Sequence, residues 1–213
     1  MKKILNEKEF LNQISKLDNA VDRFLMAGIF YGLQGETVAG EQVLKIKKTD
    51  VDFSNGTIKL SDGRIVAMSD SLEKITTDAI NQTIYVKLGG VGKTSEDYNF
   101  NPSSEYVVRV KPTKTNDNGL NPLSKEGFKT RMKSINAFLG TDYSISTLKA
   151  SGAYNILKKE NKKWSVREAE SFLKENGLGI RRATVSEIIK ELNGGKIKMK
   201  EQIINRLEIS SKI

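Results

Sequence analysis

One turn constrains what this chain can fold into more than any other stretch. Thr57-Ile58-Lys59-Leu60 and Arg64-Ile65-Val66-Ala67-Met68 flank Ser61-Asp62-Gly63. An Asp-Gly pair supplies the positive φ angles of a tight hairpin turn, and the flanking runs have strand character. A small antiparallel hairpin therefore sits inside a chain whose remaining signals are helical. Thr83-Ile84-Tyr85-Val86 is the candidate for a third strand beside it, with Ser69 capping a helix to about Asn81 in between.

The helical signals begin at Asn6, which with Glu9 reads as a capping box, and Phe10, Leu11, Ile14 and Leu17 follow on one face. Asp18-Asn19 restarts a helix that is apolar nearly all round from Ala27 to Leu33, the mark of a core element. Gly32 to Gly40 and residues 88 to 104 read as loops, and Tyr106 to Val110 as a short extended piece. Further helices are expected from Ser124 to the stop at Gly140, from Ser146 through Leu157, and from the Ser165/Glu168 capping box to Gly177. Two more cover Ala183 to Leu192 and about Met199 to Leu207. The fold class expected is mainly α with a small antiparallel β-sheet, α+β.

Composition narrows the chemistry. The 213 residues contain no cysteine and no histidine, which removes disulfides, thiolate metal sites and the commonest general base and zinc ligand. No cofactor and no metal are expected. No apolar run approaches the roughly 20 residues that span a membrane, and the polar opening Met1-Lys2-Lys3-Ile4-Leu5-Asn6 does not resemble a secretory signal. The net charge of +9 is lopsided: residues 1 to 100 carry 13 basic and 14 acidic side chains, residues 101 to 213 carry 22 and 12. Such an imbalance fits a polyanionic partner for the second half, and it equally fits a lysine-rich solvated surface.

Three constellations bear on function. Gly89-Gly90-Val91-Gly92-Lys93-Thr94 looks like part of a phosphate-binding loop, but Lys87 stands where its first glycine belongs and no helix start follows, so a connecting loop is favoured. Ser165 to Leu192 reads either as a helix-turn-helix, with Arg181 and Arg182 placed for phosphates, or as an ordinary packed pair. The basic series Arg109, Lys111, Lys114, Lys125, Lys129, Arg131, Lys133 and Lys149 includes lysines four apart on one helix, a stripe able to track a phosphate backbone.

The order of these elements resembles the catalytic domain of tyrosine recombinases, the phage integrase family, over about residues 4 to 160. Ile4 to Phe10 through Asp22 to Leu25 looks like its first two helices. Phe30-Tyr31-Gly32-Leu33 sits where that family has Thr-Gly-Leu-Arg, and Leu44 to Phe53 resembles the lead into its small sheet, which the Asp62-Gly63 hairpin matches. Ser144-Ile145-Ser146-Thr147-Leu148-Lys149 resembles the segment carrying a His-x-x-Arg box. The departures are systematic. Gln34 takes the first catalytic arginine position, Ser146 and Lys149 take the box, and no tyrosine follows Tyr154 to serve as nucleophile.

The chain is in this respect similar to the recombinase-like lytic-cycle repressors of SPbeta-type phages. The resemblance implies one integrase-like domain over 1–213, with helices and sheet over 1–87 and a basic helical half over 105–213. It also implies that the integrases' N-terminal arm domain is missing, which lowers the affinity expected of a monomer. The expectation is a non-catalytic, double-stranded-DNA-binding transcriptional regulator, a repressor acting in the bacterial cytoplasm. Its expected phosphate contacts are Lys111, Lys114, Lys129, Lys133, Lys149, Arg181 and Arg182. Self-association or a phage regulatory protein is the further partner to consider. The alternative is a protein-interaction module that binds and modulates a recombinase or repressor.

Overall fold

Helix α1 (Glu7–Ile14) begins where the sequence places its cap: the Asn6 side chain accepts from Glu9 N at 2.9 Å, and the Glu9 carboxylate accepts from Asn6 N. This satisfies amides that a helix start leaves without partners. The structure, a computed structural model, describes residues 4–34, 41–87 and 96–194. The Gly89–Thr94 loop, the Gly35–Gly40 loop and the helix expected over Met199 to Leu207 lie outside the described residues. In α2 (Ala20–Phe30) every residue but Arg23 is buried, as its all-round apolar sequence requires. The Phe10 ring stacks on Phe30, with centroids 4.2 Å apart, and joins α1 to α2.

The hairpin forms as read. After α3 (Glu41–Lys45) and a 3-10 turn come β1 (Val51–Asp52), β2 (Thr57–Lys59) and β3 (Ile65–Ala67), an antiparallel sheet in the order β1-β2-β3. Ile58 faces Val66, Lys59 faces Ile65, and Gly63 adopts a φ of 86° in the turn. The third strand is β1, not the Thr83–Val86 stretch. Helix α4 (Asp70–Asn81), twelve residues and so about 18 Å long, carries the chain away before that stretch is reached. There β4 (Ile84–Tyr85) pairs instead with β5 (Tyr98–Asn99), inside a region whose Gly, Ser and Asn content reads as loop. Tyr98 stacks on Tyr85 at 5.0 Å and Phe100 meets both edge-on, so aromatic packing outweighs the loop-like composition.

The second half is helical: α5 (Lys125–Leu139), α6 (Ile145–Lys159), α7 (Val166–Glu175) and a further helical stretch over 182–194. Ser124 and Ser144 cap the first two, α6 thereby starting one residue before Ser146, and Ser165 with Glu168 forms the expected box on α7. Gly140 ends α5 in the left-handed region at φ 64°.

One buried cluster runs from Leu5 to Leu148 and a second from Ala153 to Ile189, so they meet within α6. Between them lies Gly152, where a Cβ would collide with the carbonyl oxygen of Phe30. That close approach sets α6 across the C-terminal end of α2. The fold is the mainly helical α+β class read from the sequence. Among the described residues no helix is long and apolar enough to cross a membrane.

Candidate nucleic-acid interface

The expected phosphate contacts separate into groups. Lys129 and Lys133 are exposed on α5, together with Lys125. With about 3.6 residues per turn, these three share one flank of α5. Gly127, Thr130 and Ser134 share the other, which lines a groove of about 540 Å3 beside Tyr98, Lys111 and Arg131. Lys111 is exposed there with its Nζ 5.9 Å from the Tyr98 ring centre, and Lys114 is exposed at the start of a 3-10 turn (Lys114–Gly119). The α5 lysines and Lys111 therefore lie on different sides of one helix.

Three bases of the sequence stripe are not surface charges. Arg131 lies inside with its Nε 3.6 Å from a carboxylate oxygen of the fully buried Asp22, and it donates to the carbonyl oxygen of Arg109 at 3.2 Å. Tyr85 donates its hydroxyl hydrogen to the other Asp22 oxygen at 2.8 Å. Burial pushes the Asp22 carboxyl above its ordinary pKa, against the pull of Arg131, Tyr85 and Asn19. Arg109 is buried over the Phe100 ring and donates to the carbonyls of Ala79 and Ile80; burial lowers its pKa. Lys149, expected to neutralise a backbone phosphate as a point charge, is only 6 % exposed on α6. An i,i+4 count cannot separate these from Lys129, because helix position reports a face and not what packs on it.

Arg181 is exposed, but Arg182 donates to Glu170 at 2.9 Å, which reduces its availability for phosphate. The helix pair it belongs to buries Ala169, Leu173, Val185 and Ile188 in a common core, and the outward side of 182–194 exposes Glu187, Lys190 and Glu191. That side is not basic. Not among the expected contacts is a run of exposed bases at the end of α6 and just before α7, Lys158, Lys159, Lys162 and Lys163. Its signal in the sequence is the run Lys158-Lys159-Glu160-Asn161-Lys162-Lys163.

At the positions that resemble recombinase motifs, Gln34 is fully buried after the Gly32 turn. The start of α6 carries a hydroxyl cluster, with Ser144 Oγ 2.9 Å from Ser146 Oγ and 2.8 Å from Thr147 Oγ1. Arg64 of the hairpin bonds Asp62 at 2.9 Å and the Gln42 side chain at 3.1 Å, and its guanidinium packs on Gly177 at the end of α7. The turn after α2, the hairpin and the residues that follow α7 thus converge. Among the described residues no cluster of acidic side chains could hold a metal ion.

Residues 4–212 match the family described as "MrpR, C-terminal catalytic domain". The chain belongs to that family. The MrpR-type domain also matches the crystal structure of XerA recombinase with a TM-score of 0.58 at 16% identity, over 95% of this chain. At that identity the match establishes the integrase-like fold alone. The chain spans 64% of the length of the XerA chain. Among curated proteins, no sequence matches it. Gln34, Ser146 and Lys149 stand at the positions where the resemblance to tyrosine recombinases expects an arginine and a His-x-x-Arg box.

Proposed function

We propose that this MrpR-type domain is a non-catalytic DNA-binding protein, a transcriptional repressor of a phage or mobile element that uses an integrase-like fold to hold duplex DNA. The observation that carries the reading is the exposed lysine flank of α5, Lys125, Lys129 and Lys133, on the half of the chain with 22 bases against 12 acids. Lys111, Lys114 and Arg181 add exposed positive charge to that half. Phosphoryl transfer needs a nucleophile and cations placed around the phosphate. A neutral, buried Gln34 and a buried Lys149 speak against that chemistry.

A fluorescence-anisotropy titration with duplex DNA across a salt series tests the reading. Affinity that falls steeply as salt rises is expected, because neutralised phosphates release counterions. No binding at low salt would reject it in favour of a module that binds a recombinase or repressor. Incubation with supercoiled plasmid tests the second half of the proposal: no nicked or relaxed product is expected, and either product would establish strand cleavage.

A further inference from the structure

We propose that the turn between α6 and α7 is a second phosphate-contacting patch for duplex DNA, separate from the lysine flank of α5. The inference rests on the DNA-binding reading above. Lys158, Lys159, Lys162, Lys163 and Arg167 are all exposed, and over 158–168 these five bases meet two acids, Glu160 and Glu168. Glu168 is engaged in capping: its carboxylate accepts from Ser165 N at 3.0 Å and from Ser165 Oγ at 2.6 Å. Lys159 is engaged too, 2.8 Å from Glu7. The remaining four bases make no ion pair among the described residues.

Helix stability does not account for where Lys163 and Arg167 sit. Lys158 in the last turn of α6 meets the negative end of that helix, which is favourable. Lys162 and Lys163 lie just before α7 and Arg167 lies in its first turn, where the helix dipole is positive and repels them. Cations gathered against a dipole cost stability and concentrate positive potential. The α7 amides are closed by the Ser165–Glu168 box, so contact falls to the side chains.

The turn also presents those side chains ready for contact. Lys162 Nζ lies 3.7 Å from the centre of the Trp164 ring, and Lys158 Nζ lies 5.6 Å from that of Tyr154. Trp164 is buried and donates its indole N–H to the carbonyl of Leu157 at 3.1 Å, so the platform under Lys162 is anchored. Ammonium groups already held over rings lose less freedom when they meet phosphate. The patch is at the far end of the fifteen-residue α6 from its Ser144 cap, about 20 Å at 1.5 Å per residue. That is the span of about six base pairs at 3.4 Å per step.

The test is the salt dependence of duplex binding by the full chain carrying Lys162→Gln, Lys163→Gln and Arg167→Gln together. A control carries Lys8→Gln on α1, Lys16→Gln just after it and Lys74→Gln on α4. The slope of log affinity against log salt is expected to flatten by about two to three in the turn variant, at about 0.9 per lost contact, and to stay unchanged in the control. The turn variant is also expected to melt near the parent's temperature, since the charge removed at Lys163 and Arg167 opposes the α7 dipole while Lys162 gives up its contact with the Trp164 ring. An unchanged slope, or a lowered melting temperature without a slope change, would overturn the patch while leaving the DNA-binding reading in place. An unmodified chain that fails to bind duplex DNA would remove both.

Discussion

Arg131 and Lys129 lie two positions apart on one helix, and what they contact decides opposite roles for them. Arg131 neutralises Asp22 inside the molecule and holds the carbonyl of Arg109, whereas Lys129 stays in solvent. Arg131→Met is expected to lower unfolding free energy by about 3–5 kcal/mol in urea titration, because it leaves the Asp22 charge buried without its partner. Glu7 supplies a pH dependence. Burial raises its pKa, but the hydrogen bonds from Lys159 and Tyr31 and the Lys159 charge outweigh this, and the net shift is downward from 4.5. A carboxyl with a depressed folded pKa contributes stability above its unfolded pKa and loses it as pH falls through the folded value. Melting temperatures measured down through pH 4.5 should therefore fall less steeply for Glu7→Gln than for the parent.

Elements are joined here by close approach as much as by apolar faces. The periodicity of α6 marks it as a helix, but its seating on α2 depends on Gly152, which has no room for a Cβ against the Phe30 carbonyl. Gly152→Ala is expected to destabilise by about 3 kcal/mol, the upper part of the range for overpacking. Gly140→Ala, at a left-handed helix end with open space around it, should cost about 1 kcal/mol from backbone strain alone. Urea unfolding of the two variants side by side measures the difference. Asn19 shows the same limit of local reading. It stands at a helix start, yet its side chain makes no cap and instead grips the backbone of Val86, bonding both the carbonyl and the N–H at 2.8 Å.

For the whole molecule, the expected consequence of the proposed interface is graded by exposure. Lys129→Gln with Lys133→Gln should flatten the salt dependence of duplex binding by about two contacts' worth, roughly 1.8 in slope, with little change in unfolding free energy. The same salt titration on Lys149→Gln should instead be accompanied by a loss of fold stability, because that side chain is buried. The helices, their caps at Asn6, Ser124 and Ser165, and the Asp62-Gly63 hairpin were legible in the sequence. Each rests on residues within a few positions of one another, where turn geometry and capping are decided locally. The integrase-like order of elements was legible for the same reason, as a succession of such local signals. The tertiary structure alone decided that β1 completes the hairpin sheet, that Tyr98 returns to pair beside Tyr85, and that Arg109, Arg131 and Lys149 turn inward. Those outcomes depend on contacts between segments tens of residues apart, such as Asp22 with Arg131. A stripe of charge along one helix contains no trace of the partner that will bury part of it.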